Sequence, residues 1–142
     1  MTASIREARS GDEEQLFALV SQLGHALQPV RSAFDATIAA YFAGEHPSVF
    51  LLVVDDGGVL QGYALTTIVP LLATNGPSAQ LQEIVVDDGA RGHEYGTLLV
   101  RAVEAECVRR GVTQLTVASR RAGGFYDRLG FHESAEYMRR FF

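Results

Sequence analysis

A turn that combines glycines with charged residues, placed between an apolar strand and an amphipathic helix, has the clearest chemical capacity in the sequence. The strand is predicted over residues 81–86 and the helix over about 97–110. Four apolar residues at helical spacing give the helix one buried face: Leu98, Leu99, Ala102 and Val103. The first turn of a helix has unpaired amides and the positive end of the helix dipole, so this turn is predicted to bind an anion, most naturally a phosphate.

Two other glycine-rich phosphate turns are excluded by the sequence. The nucleoside-triphosphate loop requires a lysine after its last glycine, and the chain contains no lysine. The dinucleotide turn requires a G-x-G-x-x-G spacing, which Gly89, Gly92 and Gly96 do not match.

One carboxylate, Glu83, interrupts the apolar strand. Burying an unpaired carboxylate is costly, so a carboxylate in such a strand has a specific partner or role. Glu83 is therefore a candidate general base that acts through water. The alternative is that the alternation of side chains turns Glu83 toward solvent or toward an arginine.

Three segments together resemble one family. Residues 91–96, Arg-Gly-His-Glu-Tyr-Gly, resemble the R-G-x-G-x-G acyl-CoA pyrophosphate loop of the GNAT acyltransferase superfamily. Residues 83–87 resemble its E-(I/L)-x-V-D strand, and residues 122–131 resemble its A-x-x-F-Y-x-x-L-G-F segment. Glu94 replaces the middle glycine of the loop. A carboxylate near a pyrophosphate is repulsive unless it points away, and a side chain narrows the backbone's room to approach the ligand.

The resemblance implies acetyl-CoA as co-substrate, without a metal, and a set of residues that bind it. The pyrophosphate is expected on the loop and the start of the helix: Arg91, Gly92, His93, Glu94, Tyr95, Gly96 and Thr97. The thioester carbonyl is expected on backbone amides of Ile84, Val85 and Val86, with their side chains in the core. Ser119 is expected on the pantetheine arm. For Arg91 the alternative is a solvated surface charge. Arg120 and Arg121 could contact a phosphate of the cofactor or a carboxylate of the substrate, and their alternative is also a solvated surface charge.

Tyr126 is implied to lie beside the cofactor sulfur. A phenol stays protonated at neutral pH and can donate a proton to a leaving thiolate. The alternative is a half-buried aromatic residue that packs with Phe125 and Phe131. Acyl transfer to an amine by direct attack then needs Glu83 as base and Tyr126 as acid.

The pattern as a whole predicts one domain over residues 1–142, with a mixed α/β fold. The expected architecture is a GNAT-like central mixed sheet of six to seven strands flanked by about four helices, in the order β-α-α-β-β-β-α-β-α-β. Strands are predicted at 4–8, 49–54, 59–69, 81–86, 114–118 and 136–142. Helices are predicted from a capping box of Ser10 and Glu13 to near Gly24, and at 32–43, 97–110 and 123–129.

Composition limits the functional classes. The chain has 142 residues, 47% of them hydrophobic, and a net charge of −5, which argues against nucleic-acid binding. No apolar run reaches the length of a membrane span, and the single cysteine, Cys107, fits a reducing compartment, so a cytoplasmic protein is expected. Cys107 is expected to be a buried packing residue rather than a reactive thiol. The four histidines show no metal-ligand spacing.

The sequence thus predicts an N-acetyltransferase that acts on a primary amine of a small molecule. The resemblance places one wall of the acceptor site in the first two helices and the link between them, and it assigns substrate identity to residues 24–34. In that segment His25 is either an acceptor contact or simple loop polarity. The alternative function is a non-catalytic GNAT-like module that binds a CoA ester or serves as a sensor, which Glu94 would favour. The apolar terminal strand, ending at Phe142, makes a homodimer possible. The acceptor's identity, and whether acyl groups larger than acetyl fit, are not encoded in any recognisable motif.

Overall fold

The computed structural model of the chain describes residues 3–24, 26–119 and 124–142. The strands are β1 (Ser4–Glu7), β2 (Val49–Asp56), β3 (Val59–Pro70), β4 (Pro77–Val86) and β5 (Gln114–Val117). The helices are α1 (Glu13–Val20), α2 (Arg31–Phe42), α3 (Tyr95–Arg109) and α4 (Phe125–Arg128), with a 3-10 turn at Asp88–Ala90. The sheet order is β1-β2-β3-β4-β5, antiparallel as far as β4, and β5 is parallel to β4. The predicted mixed α/β class is confirmed.

Alternating side chains give the sheet two buried faces. The α3 face combines strand residues with the helix: Phe50, Leu52, Val54, Ala64, Ala79, Leu81, Leu99, Val100, Val103 and Cys107. The α1/α2 face combines a second set: Leu16, Leu19, Ile38, Val53, Leu60, Tyr63 and Val85. Cys107 is buried as predicted, and burial, with the charge of Glu106, raises the pKa of its thiol. The α3 face differs from the prediction at Leu98, which is exposed while Val100 is buried, because the helix turns the side that carries Leu99, Val103 and Cys107 toward the sheet.

A β-bulge interrupts the pairing of β3 with β4 next to Glu83. Leu65 pairs with Glu83 and Thr66 pairs with Leu81, so Gln82 is an extra residue on β4. β5 pairs with β4 only as far as Leu81. The remaining part of β4 has no described strand on that side, which leaves a gap at its carboxyl end.

Two predicted elements are wrong. The terminal strand at 136–142 is absent: these residues are exposed and irregular, because a strand needs a partner and no described strand pairs with them. The described sheet therefore has five strands rather than six to seven. The cap of α1 is Asp12 rather than Ser10, and Glu13 accepts a hydrogen bond from the Gly11 N–H (2.7 Å).

An ion cluster joins β1 to α1 and to the β2–β3 hairpin. Arg6 donates to both oxygens of Asp12 (2.9 and 3.0 Å) and to Asp55 (2.9 Å). Asp12 is 6% exposed and also accepts the Arg9 N–H. Burial alone would raise the pKa of Asp12, but the bonds from Arg6 and Arg9 outweigh it and the pKa is lowered.

Candidate functional site

A cavity of about 230 Å³ lies at the carboxyl end of β4, between the following loop, the start of α3 and α4. Its lining residues are Ile84, Val86, Ala90, Arg91, Gly92, Glu94, Tyr95, Gly96, Thr97, Phe125 and Tyr126. The structure therefore brings together all the predicted site residues except Glu83, Val85, His93 and Ser119. Sequence reasoning missed Ala90 and did not assign Phe125 to the cavity, although Phe125 lies next to Tyr126 in the motif.

The first turn of α3 lines this cavity, and its amides have no hydrogen-bond acceptor among the described residues. The first N–H bonded within the helix is that of Leu98, which donates to the Glu94 carbonyl (3.1 Å). The preceding amides, of Tyr95, Gly96 and Thr97, lie in the turn where a helix has no internal acceptors. No side chain caps this end and no acidic residue lies in the first turn of the helix. Three amides and the positive end of a 15-residue helix thus give this place the chemistry that suits an anion.

Gly96 lets an aromatic wall approach the helix. A Cβ at this position would lie 3.4 Å from the Phe125 ring. Phe125 contacts Tyr126 edge to face (centroids 4.9 Å apart), and Tyr126 contacts Phe131 in the same way (5.6 Å). Tyr126 is half-buried. It packs against Phe125 and Phe131, as the alternative predicted, and it also lines the cavity.

Glu94 has a left-handed backbone, with φ 60° and ψ 21°, at the N-cap of α3. Glycine adopts this conformation without a steric penalty, whereas a residue with a Cβ is strained there. The side chain is exposed and makes no capping hydrogen bond. Glu94 therefore keeps the backbone conformation that a glycine would adopt here, but with steric strain. It also adds a negative charge next to the amides at the start of α3.

The other charged residues of the loop are also at the surface. Arg91 pairs with Asp88 (3.1 Å), and both side chains are more than half exposed. Such a pair contributes little to stability and can be exchanged for a ligand contact. His93 stacks on Tyr95 (5.5 Å between centroids) outside the cavity lining.

The free edge of β4 carries two amides next to the cavity. Asp87 donates its N–H to the carbonyl of Gln61 on β3 (2.8 Å). Because successive residues of a strand direct their N–H groups to opposite sides, those of Val86 and Ile84 point away from β3 and that of Val85 points toward it. The Val85 side chain is buried as predicted, whereas those of Ile84 and Val86 line the cavity.

Glu83 lies on the other face of the sheet, the α1/α2 face. Its Oε1 accepts a hydrogen bond from the hydroxyl of Tyr63 (2.8 Å), which is 1% exposed. Glu83 keeps partial exposure to solvent, as one alternative predicted, and no described arginine pairs with it. Its hydrogen-bond partner is a phenol, which sequence reasoning missed. Tyr63 lies 20 residues away on β3, and only the sheet register could have shown the pair.

The predicted acceptor wall is tied to the loop by Gln22. Its Nε2 donates to Asp87 Oδ1 (2.9 Å), and its Oε1 accepts the Asp88 N–H (3.0 Å). Leu27 and Val30, further along the wall, are each 60% exposed. The predicted contacts of His25, Arg120 and Arg121 lie outside the described residues, and Ser119 is exposed just after β5.

The described residues contain no group of three or more His, Cys, Asp or Glu side chains arranged to hold a metal ion. Among the helices described, none is long and apolar enough to cross a membrane.

Comparisons with known proteins agree with this architecture. The model of the Acetyltransferase (GNAT) family matches residues 14–131. A search of curated protein sequences found no significant match. Similar solved structures include glucosamine-6-phosphate N-acetyltransferase from Arabidopsis thaliana (TM-score 0.85, 20% identity, 100% of this chain and 99% of that chain). A transcriptional regulator from Bacillus halodurans C-125 has a TM-score of 0.84 and 23% identity over 99% of this chain and 100% of that chain. The aminoglycoside N-acetyltransferase AAC(6')-Iy, solved with CoA, has a TM-score of 0.79 and 19% identity over 98% of this chain and 93% of that chain. At these identities the likeness shows the fold.

Proposed function

Because the chain belongs to the GNAT acetyltransferase family, we propose that it transfers an acetyl group from acetyl-CoA to a primary amine of a small molecule by direct attack. The observation that carries the proposal is the meeting of three features at one cavity: the unpaired α3 amides, the free β4 edge and the Tyr126 side chain. A diphosphate and a thioester on one flexible arm need these two kinds of donor at the two ends of one cleft.

The residues fit this co-substrate. The amides of residues 95–97 and the Arg91 guanidinium are suited to the diphosphate, and Gly92 and His93 lie on the same loop. The Ile84 and Val86 amides are suited to the arm and to the thioester carbonyl, where a hydrogen bond strengthens as negative charge develops. Ser119 has a hydroxyl for one further bond to the arm. Acetyl-CoA supplies the acyl group as an activated thioester.

The acid and the base approach from opposite faces of the sheet. Glu83 lies on the α1/α2 face and Tyr126 on the α3 face. An alkyl ammonium has a pKa of about 10.4, so the acceptor must lose a proton before it attacks. Glu83 takes that proton through water, and Tyr126 donates one to the departing thiolate. The β4–β5 ladder ends at Leu81, so no described strand pairs with β4 beside residues 83–86 on that side.

The test is acetyl-CoA turnover with a panel of primary amines: glucosamine, glucosamine-6-phosphate, neamine and spermidine. We expect at least one to be acetylated, with the thiol released in equal amount. We expect Glu83→Gln and Tyr126→Phe each to lower kcat by about 10²-fold, a usual magnitude for one acid or base. Full activity in both variants would remove the assigned roles, and no turnover of any amine would count against the reaction itself.

The second candidate is a non-catalytic module that binds a CoA ester, and the observation that favours it is the Glu94 carboxylate beside the anion site. Calorimetry with CoA separates the possibilities. Millimolar CoA without measurable binding would favour a module that has lost the cofactor, whereas binding without turnover of any amine would favour a sensor.

A further inference from the structure

Tyr63 and Glu83 form a buried pair between β3 and β4. The bulge at Gln82 shifts the register, so that Glu83 projects onto the α1/α2 face beside Tyr63. The phenol lies within the core, 1% exposed, and donates to Glu83 Oε1 at 2.8 Å. Burial, reinforced by the charge of Glu83, raises the pKa of Tyr63, so the phenol remains a donor at neutral pH.

The other carboxylate oxygen, Oε2, accepts no hydrogen bond from the described residues, and no described arginine pairs with Glu83. A second phenol, Tyr41 of α2, lies within range of the charge of the same carboxylate. Burial, followed by the charge of Glu83, raises the pKa of Tyr41 as well. Glu83 is thus held by the Tyr63 phenol, and no cationic side chain among the described residues pairs with its negative charge.

We propose that Tyr63 is a positioning residue that fixes Glu83 through Oε1 and leaves Oε2 to face the ammonium group of the acceptor. This inference rests on the proposed acetyl transfer. The ammonium proton passes to Oε2 through a water molecule, and the freed lone pair forms the C–N bond as the C–S bond breaks. The departing thiolate takes the Tyr126 proton, and the nitrogen passes its second proton through water to the Tyr126 phenolate. The ammonium group of the acceptor then acts as the counter-ion of Glu83. The site therefore selects amines that are cationic at neutral pH.

The pair is tested by Tyr63→Phe, which removes the hydroxyl and keeps the ring. With the panel amine turned over fastest, we expect kcat to fall about tenfold, the equivalent of one hydrogen bond to a charged group. The KM for acetyl-CoA should stay at the wild-type value, because the α3 amides and the β4 edge are untouched. The matched control is Tyr137→Phe, which removes a phenol hydroxyl that is 70% exposed in the irregular terminal segment. It should leave both constants unchanged.

The variant Glu83→Asp is the second measurement, because it retracts the carboxylate from Tyr63 without removing either chemical group. We expect it to lose kcat to a similar extent. In the Glu83→Gln background, Tyr63→Phe should cause no further loss, because its effect is transmitted through the carboxylate.

Three results would overturn the inference. Unchanged kcat in both Tyr63→Phe and Glu83→Asp, with loss in Glu83→Gln, would remove Tyr63 and leave the base in place. Additive losses in the double variant would show that Tyr63 acts elsewhere. Full activity of Glu83→Gln would remove the base and the positioning role together. Failure of the proposed function itself is distinct, because it shows in the wild-type protein as no turnover of any panel amine.

Discussion

Replacing Glu94 by glycine should improve both stability and CoA binding, for two separable physical reasons. The residue has φ 60° and ψ 21°, and its exposed side chain makes no capping bond, so the substitution removes no contact that holds the fold. A left-handed residue with a Cβ is strained by roughly 1–2 kcal/mol. Part of this gain is offset by the greater freedom of glycine in the unfolded chain, roughly 0.5–1 kcal/mol. The free energy of unfolding should therefore rise by about 0.5–1 kcal/mol.

The effect on binding comes from charge. A carboxylate about 4 Å from one phosphate charge costs about 1 kcal/mol in water-like surroundings, which corresponds to roughly fivefold in Kd. Glu94→Gln removes this charge and keeps the backbone strain, whereas Glu94→Gly removes both. Both variants should bind CoA roughly fivefold more tightly, and the difference from the wild-type protein should shrink at high salt because exposed charges are screened. Only the glycine variant should gain stability.

The assays are calorimetric titration with CoA at two salt concentrations and urea unfolding of the same proteins. Glu45→Gln is the matched control, because it removes an exposed carboxylate in the turn between α2 and β2. The control should bind CoA like the wild-type protein. If neither Glu94 variant binds CoA more tightly, the carboxylate does not oppose the diphosphate and the assigned anion site is wrong.

Three further substitutions have defined outcomes. Thr66→Val should raise the free energy of unfolding by about 1 kcal/mol in urea titrations, because the buried Thr66 hydroxyl has no hydrogen-bond partner among the residues that the structure describes; a loss of stability would show that the hydroxyl is satisfied. Gln22→Ala should raise the Kd of CoA severalfold with little change in melting temperature, because it removes the hydrogen bonds that hold Asp87 and Asp88. An unchanged Kd would show that these bonds do not position the loop for CoA. Asp12→Asn should cost about 2 kcal/mol at pH 7. The pKa of Asp12 is lowered on folding, so its contribution is present above the unfolded pKa of about 3.9 and is lost as pH falls below it. Wild type and variant should therefore converge in acid, and a constant difference down to pH 2 would contradict the ion-pair explanation.

Local chemistry explains what the sequence could predict. The hairpin at Asp55–Gly58 and the strand, turn and helix around Gly92 are specified by residues that are close in the chain, and both form where expected. The amide-bearing start of α3 follows from the same local pattern. The helix begins at Tyr95 rather than near Thr97, directly after the left-handed backbone of Glu94.

What the sequence could not predict depends on contacts between distant residues. The Tyr63 partner of Glu83 requires the β3–β4 register, including the bulge at Gln82. The early end of the β4–β5 ladder, which opens the cavity, is equally invisible in either strand's own pattern. The apolar tail ending at Phe142 has residues suited to a strand, yet it has no described partner with which to form one.

The most direct test of the central claim is a titration of the isotope-labelled protein with CoA, followed by amide NMR. We expect the largest amide shifts at Gly96 and Thr97 of α3 and at Ile84 and Val86 of β4. The amide of Val85, which points toward β3, should shift less. Shifts confined to other surfaces, or no change at the amides of α3 and β4 at saturating CoA, would contradict this claim.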